Sequence, residues 1–394
     1  MAKQNNNFKI DLLMFNMSSY SEWRKGVNNR NYQFLINLLE NERVNKILAV
    51  DYLPFTLKRT LKNYKENILE NLPTEEVIKR NLLSKLTKIT DQLFVYSTIK
   101  SFIYPNLVIK ELKKILNLLN FTNLITWSCF PLWLDYYHAF QEKITVFDTI
   151  DNWAEHPSYL KIKDKILKNY QKISQDVDLI FTVSEEVQKV FPNRQKIIWL
   201  PNGVDFSHFQ KEYNLINRDI GDLKKPIIGY IGVIQDKLDL DLLKQIAEKY
   251  REISIVLIGP VWYNYIIKEM EKFSNVYFLG FKSYQELPMY LQQFAVAIIP
   301  HKVDKFSLST NPMKLYEYLA CGKPVVTIYQ KELETFTPYI YLAKNNEEFI
   351  NFINQALTDD SLILKEKRQE LVKEQTWKKR VNIMLDYIFQ ELGY

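Results

Sequence analysis

Short apolar runs alternate with amphipathic helical patterns along almost the whole chain, and that alternation leaves few folds open. In the first half the runs are "FKIDLLMF", "NKILAVDY", "LFVYS", "NLITWSCF", "ITVFDTID", "DLIFTVS" and "KIIWLP", with helical periodicity over 29–42, 108–119 and 158–175. The scheme repeats with "PIIGYIGV", "ISIVLIG", "NVYFLG", "VAIIP", "PVVTIY" and "YIYLA", separated by helical patterns near 239–250, 262–273, 283–293 and 312–320. Strands joined in this way by helices read as βαβ units, whose parallel sheets are covered on both faces. A chain of 394 residues exceeds the roughly 250–300 residues at which a single core stops growing. Two doubly wound, Rossmann-like α/β domains are therefore expected, over 1–200 and 201–375, with the turn-rich stretch 200–226 as the linker. The segment 376–394 contains "TWKKRVNIMLDYIF", apolar and basic residues in helical register.

Composition narrows the class. Hydrophobic residues make up 47% and charged residues 25%, as in ordinary globular proteins. No apolar run approaches the roughly 18 residues that span a bilayer, and the Asn-rich start lacks a signal-peptide core, so a cytoplasmic location is expected. Cys129 and Cys321 have apolar neighbours and no metal-ligand spacing, which reads as reduced, buried thiols. Residues 1–200 hold 28 Lys and Arg against 21 Asp and Glu, whereas the rest hold 24 against 25. The basic excess sits in "TLKRTLKNYK", "VIKRNLLSKLTK" and "KIKDKILKNYQK", where lysines interleave with leucines at helical spacing. Such faces are either solvated or suited to an anionic membrane surface, as on the inner face of a cell membrane. No nucleic-acid-binding motif accompanies the charge.

The stretch "STNPMKLYEYLACGKPVV", residues 309–326, reads as one unit. Asn311 is a candidate N-cap and Pro312 a candidate first residue of a helix ending near Ala320. Gly322 is placed to end that helix in the left-handed conformation, and Lys323-Pro324 leads into a strand. A helix start following Ser309 and Thr310 offers free N–H groups to an anion. Lys314 and Glu317, three residues apart, share a face. A cation beside an anion site and a carboxylate one turn on suit a phosphate carrying a polyhydroxy group.

Glycine usage supports the second half as the nucleotide side. Gly26 is the only glycine before residue 203, whereas Gly229, Gly232, Gly259 and Gly280 fall within or at the ends of predicted strands. In open α/β sheets ligands bind beyond the carboxyl ends of the strands, where glycine lets the backbone approach a phosphate. "GYIGVI" lacks the third glycine of a dinucleotide fingerprint, and the chain has no Gly-Lys-Ser/Thr phosphate loop. These absences argue against a dehydrogenase or an ATPase.

The ordered set "FTVSEEVQKVF", "LPNGVDFSHF", "GYIGVI", "VLIGP", "VYFLGFKSYQELPMYL", "VAIIPH" and "NPMKLYEYLACGKPVV" resembles the group 1 glycosyltransferases, retaining enzymes of GT-B architecture. Trp23, Arg30 and "NRNYQFL" echo the N-terminal pattern of the subgroup resembling teichuronic acid biosynthesis glycosyltransferases. The resemblance implies two Rossmann-like domains facing a cleft, with the last helix crossing back to the first domain. It implies that Glu317 holds the donor ribose, and that Thr310, Asn311, Pro312 and Lys314 face the donor diphosphate and sugar. Lys237, after the Gly232 turn, would neutralise the leaving diphosphate without a metal, and Gly280 and Phe281 would hold the base. The donor implied is a nucleotide diphosphate sugar, UDP- or GDP-linked, with no further cofactor. The acceptor implied is a hydroxyl of a surface glycan or lipid-linked saccharide precursor. Relatives carry a second glutamate eight residues before the position of Glu317, where this chain has Ser309.

In the first half, "VFDTIDNWAEHPSY" ends a strand with Asp148 and Asp151, and Asp151, Asn152 and Trp153 are expected at its carboxyl end. Asp151 is a candidate for contact with the donor sugar or acceptor hydroxyl, with a turn or N-cap Asp as the plain alternative. His156 and His301, near strand ends, are expected as polar rim residues, and no cluster suggests a metal. Two other functions fit the same fold. A nucleotide-sugar epimerase would need acid and base groups that this histidine-poor chain does not obviously supply. A non-catalytic partner subunit is kept open by Ser309.

Overall fold

The computed structural model describes residues 8–54, 56–70, 75–192, 195, 197–214 and 217–394; the Asn-rich start lies outside them. The chain divides into two compact units, Met1–Pro201 with Val381–Tyr394, and Asn202–Arg380.

The first unit is built on strands β1 (Ile10–Phe15), β2 (Val44–Val50), β3 (Glu76–Arg80), β4 (Ser84–Lys88), β5 (Leu93–Thr98), β6 (Leu124–Ser128), β7 (Ile144–Thr149), β8 (Leu179–Thr182) and β9 (Ile197–Trp199). Their order is β3-β4-β5-β2-β1-β6-β7-β8-β9. From β5 to β9 every pair is parallel, and the winding reverses between β1 and β6. β1, β5 and β7 are buried along their whole length, which is why they read as mainly apolar runs, Asp11 and Asp148 being buried polar exceptions.

The sheet edge departs from expectation. Residues 76–88, whose lysines and leucines suggested a helix face, form an antiparallel hairpin of β3 and β4. The side chain of Asn81 accepts from the N–H groups of Leu83 and Ser84, both at 2.9 Å, and so closes the turn. Lys85 and Thr87 alternate onto one face with Val95 and Ser97 of β5, a period of two that the lysines masked. The basic stretch 161–172 is helical as expected. Within helix Lys163–Asp176, Ile166, Tyr170, Ile173 and Ser174 are buried, so its lysines form a solvated outer face.

The second unit carries β10 (Ile227–Ile231), β11 (Ser254–Ile258), β12 (Val276–Gly280), β13 (Val296–Ile299), β14 (Val325–Ile328) and β15 (Tyr341–Ala343). They form one parallel sheet in the order β12-β11-β10-β13-β14-β15. Numbered within the unit this is 3-2-1-4-5-6, the dinucleotide-binding order, with its switch point between β10 and β13. One face of the sheet packs on Leu315, Tyr318 and Leu319, the other on Leu242, Ile246 and Phe349. The stretch expected as a linker belongs to this unit from Asn202 onward. Val204 and Phe209 are buried, and Val204 bridges to Thr376, because apolar residues within the polar stretch find core positions. Helices Asn346–Thr358 and Leu362–Lys373 add to the sequence reading, and the division between units falls inside the last helix, Trp377–Glu391.

Asp148 is explained here. It lies in β7 with its side chain fully buried, and both carboxylate oxygens accept from Arg30: Nε to Oδ2 at 2.9 Å and Nη2 to Oδ1 at 2.8 Å. The guanidinium also lies 4.7 Å from the ring centre of Phe34. The pair ties the helix Arg30–Leu39 to the middle of the sheet, so Asp148 is structural. Asp148→Ala leaves Arg30 buried without its counter-ion and should lower unfolding stability by about 3–5 kcal/mol. Urea unfolding checks this; a loss below about 1 kcal/mol would refute the assigned role.

Candidate functional site

At the carboxyl ends of β10 and β11 two turns pack backbone against backbone. Gly232 has φ +154° and Gly259 φ +144°, and a Cβ on Gly259 would lie 2.0 Å from the Gly232 carbonyl oxygen. Gly232 N–H donates to Ile258 O, and Gly259 N–H to Gly280 O, both at 2.8 Å. No side chain larger than hydrogen fits at Gly259, and the strand ends present bare backbone.

Helix Met313–Ala320 comes in against these turns. The Tyr318 hydroxyl accepts from Ile231 N–H at 2.8 Å and reaches Ile231 O at 3.2 Å, pinning the helix to the last residue of β10. Gly322, at φ +75°, ends the helix; Lys323 N–H returns to Tyr318 O at 2.9 Å. The helix start differs from expectation. Pro312, at ψ 113°, is the cap residue and Met313 the first helical one, so Asn311 lies one position too early to cap. Asn311 instead accepts from Asn202 N–H at 2.9 Å, and its carbonyl accepts from the Asn202 side-chain amide at 2.5 Å. It fastens the approach to the helix.

Lys314, Lys237, Thr310 and His301 gather here. Lys314 Nζ lies 5.3 Å from the ring centre of Tyr230, and a Cβ on Gly232 would sit 3.0 Å from Lys314 Cε. Lys237 Nζ lies 3.3 Å from the Thr310 hydroxyl, itself donated to Ser307 O, and 5.1 Å from the Phe306 ring centre. Burial, with the Lys237 ammonium, pushes Lys314 down to about 8, against the opposing pull of Glu317. Burial lifts Glu317 to about 7, although Lys314 works the other way. His301, expected at a polar rim, is 3% exposed, because it lies two residues past the end of β13 and packs against Tyr230. Burial first, then Lys237 and Lys314, hold it well below the ordinary imidazole value. Tyr230, Tyr318 and buried His301 were not singled out as site residues; a tyrosine in an apolar run gives no signal of where its hydroxyl goes.

Ser309 is fully buried and donates to Phe306 O at 2.7 Å. Gly280 ends β12 and Phe281 follows it, 49% exposed. Asp151 belongs to the first unit, so the sheet that gathers Lys237, Lys314 and Glu317 does not carry it. Its carbonyl accepts from Trp153 N–H at 3.1 Å and the Tyr170 hydroxyl at 3.4 Å. Asn152 and Trp153, expected as accessible strand-end residues, are buried, because Trp153 donates its indole N–H to Cys129 O. His156 caps the turn Pro157–Ile162 through the N–H of Ser158. Both cysteines are buried free thiols.

The chain is similar to known proteins in sequence and fold. Residues 215–376 match the family of glycosyl transferases group 1. The chain is 28% identical over 273 residues, 64% of its length and 68% of the relative's, to TuaH of Bacillus subtilis (strain 168), whose name assigns it to teichuronic acid biosynthesis as a glycosyltransferase. Sucrose-phosphate synthase from Thermosynechococcus elongatus superposes with a TM-score of 0.72 at 12% identity, over 98% of this chain and 100% of that one. Anabaena HepE, solved with UDP and glucose, gives 0.66 at 14% identity, over 97% and 99%. The architecture is GT-B, two Rossmann-like units in one chain.

The raised Glu317 carboxyl has a measurable consequence. Between the ordinary value of 4.5 and about 7 the folded protein keeps a proton that the unfolded chain has released, so stability falls as pH rises through that window. Glu317→Gln should remove that slope and be more stable than the parent above pH 7, with the two proteins similar near pH 5. Urea unfolding at several pH values tests this; parallel pH profiles would count against a buried, destabilised carboxyl.

Proposed function

We infer that this chain, whose residues 215–376 match the family of glycosyl transferases group 1, moves a sugar from a nucleotide diphosphate sugar to a hydroxyl of a surface glycan or lipid-linked saccharide precursor, with retention. The observation that carries this reading is the gathering of Lys237, Thr310 and Glu317 around Lys314, whose side chain lies against the Gly232 turn at the end of β10. As the bond from the anomeric carbon to the diphosphate breaks, negative charge grows on the leaving group and positive charge on the sugar. Two ammonium groups and the N–H groups at the start of helix Met313–Ala320 suit the first, a fixed electrostatic contribution that water would have to reorganise to make. Glu317, one turn into the helix, offers two acceptor oxygens to a ribose diol. The UDP held by HepE supports UDP as first choice of donor nucleotide. In this reading the lysines take the place of a metal ion.

The test is a thermal-shift screen with UDP, GDP, ADP and dTDP and their sugars, followed by transfer assays with the nucleotide that binds. One nucleotide should raise the midpoint in wild type, by the equivalent of about 2.7 kcal/mol at a hundredfold excess over Kd. Glu317→Ala should lose that shift, and transfer should survive EDTA. A folded wild type that no nucleotide stabilises would defeat the transferase reading.

We also propose that the first unit docks on an anionic membrane, which would bring it to a lipid-linked acceptor. Leu57, Leu61, Leu69, Leu82, Phe102 and Leu107 are each at least 41% exposed. Contacts tie the segments that carry them: Arg80 donates to Leu69 O at 2.8 Å, Ser101 to Pro54 O at 3.3 Å, and Lys100 Nζ reaches the Ser84 hydroxyl at 3.4 Å. The same segments carry exposed Lys58, Lys62, Lys65, Lys79 and Arg80, of which Lys62 pairs with Glu22. Apolar side chains among cations match an acidic lipid surface. Among the described residues no helix is long and apolar enough to cross a membrane. At low salt the protein should float with phosphatidylglycerol vesicles and not with phosphatidylcholine, and Leu57→Gln with Leu61→Gln and Leu82→Gln should abolish flotation. No flotation of wild type with the acidic vesicles would remove the proposal.

A further inference from the structure

The first unit also holds a polar pocket that the donor-side geometry does not use. It is open on one side and has room for about one water-sized group, with Tyr20, Arg24, Asp51, Asn67, Glu75, Lys85 and Ser97 in its wall. Asp51, the residue after β2, is 2% exposed; its carboxylate accepts from Tyr20 N–H at 2.8 Å and from the Ser97 hydroxyl. Lys85 points inward from β4, donates to Glu70 O at 2.8 Å and faces the Glu75 carboxylate at 3.5 Å. Glu66, also in the wall, pairs with Lys25 at 3.1 Å. Asn67 is 6% exposed, and neither its side-chain nitrogen nor its oxygen has a hydrogen-bond partner.

A buried amide with both ends empty is costly unless something fills it. The chemistry of the wall says what kind of group that is. Asn67 offers two donors and an acceptor, and the Asp51 carboxylate has lone pairs beyond those used by Tyr20 and Ser97. Burial lifts the Asp51 carboxyl to about 6, against the hydrogen bonds from Ser97 and Tyr20, which it accepts through both oxygens. A hydroxyl gives and takes a hydrogen bond at once, as such a wall requires. With Lys85 committed to Glu75 and the Glu70 carbonyl, Arg24 is left against the carboxylates of Asp51, Glu66 and Glu75, a balance that does not favour a phosphate or an acidic sugar.

We propose that this pocket, walled by Asp51, Asn67, Glu75 and Lys85, receives a hydroxyl-bearing edge of a neutral saccharide acceptor. The proposal rests on the transferase reading above, and its test separates the two. The probes are methyl glycosides of glucose, galactose and N-acetylglucosamine, titrated against the full-length protein by saturation-transfer NMR, alongside nucleotide thermal shifts. Wild type should bind one of them. Asn67→Leu should weaken that binding about tenfold, the worth of one good hydrogen bond. The same variant should fold at least as stably, since it removes an orphaned amide, and keep its nucleotide shift. Ser97→Ala, which frees one Asp51 oxygen without touching Asn67, is the second variant, and should bind the glycoside with altered affinity in a folded protein. Glycoside binding that ignores both substitutions, or is absent from a wild type that binds nucleotide, overturns the pocket as a subsite and leaves an ordered water as its content. Glycoside binding lost in Asn67→Leu, in a protein that no nucleotide stabilises, upholds the pocket and defeats the transferase reading instead.

Discussion

The geometry of the second unit depends on one close approach: the turns after β10 and β11, with Gly259 so near the Gly232 carbonyl that a Cβ would overlap it. Because nothing but backbone stands there, helix Met313–Ala320 can settle over the strand ends and be fastened by a single tyrosine hydroxyl to Ile231. The same lack of side chains gives Lys314 its place, with its Cε 3.0 Å from where a Gly232 Cβ would be. Side chains at these turns would displace both the helix and the ammonium it carries. Sheet order, glycine spacing and helix placement are thus one constraint seen at three levels.

That packing sets an electrostatic problem. Lys314 is pushed down, Glu317 up and His301 down, and burial is the leading cause in each case. Lys237 adds to the effect on both Lys314 and His301, so two positive charges raise each other's cost in a place water reaches poorly. In the proposed reaction a diphosphate would reverse the sign of that cost. The charges that oppose each other in the free protein would then act together on the ligand, which makes the site selective for an anion before any specific contact is counted. His301, held neutral, adds no third positive charge and remains able to accept or donate a hydrogen bond.

What could be read from residues alone follows from the range of the interactions that decide each feature. The parallel strands were legible because burial on both faces leaves mainly apolar runs, and the end of helix Met313–Ala320 because Gly322 is a local requirement of the chain. The β3–β4 hairpin was not, since lysines at 79, 85 and 88 resemble a solvated helix and only pairing with β5 reveals the period of two. Asn311 misled for a related reason: its partner, Asn202, is 109 residues away, and a distant backbone amide outcompeted the local cap. Asp148 looked like a strand-end acid until Arg30 appeared 118 residues earlier in the chain. At the site, Lys314 and Glu317 were legible from their helix spacing, whereas His301 required knowing how deeply the second residue past β13 sits.

The two sheets share a winding order yet meet their ligand-facing ends with different materials. The second unit uses glycine, so its strand ends present bare backbone that a phosphate could approach closely. The first unit, whose two glycines, Gly26 and Gly393, lie outside its strands, instead carries buried polar side chains such as Asp51, Asn67 and Ser97. Side chains of that kind recognise hydroxyls and amides, whose donors and acceptors must be matched in direction, better than a diffuse negative charge. Glycine distribution therefore distinguishes two otherwise similar sheets: one presents bare backbone at its strand ends, the other buried polar side chains. In the proposed reaction the first would suit the donor diphosphate and the second the hydroxyls of an acceptor, with the basic, leucine-studded segments of the same unit suited to a lipid that carries it.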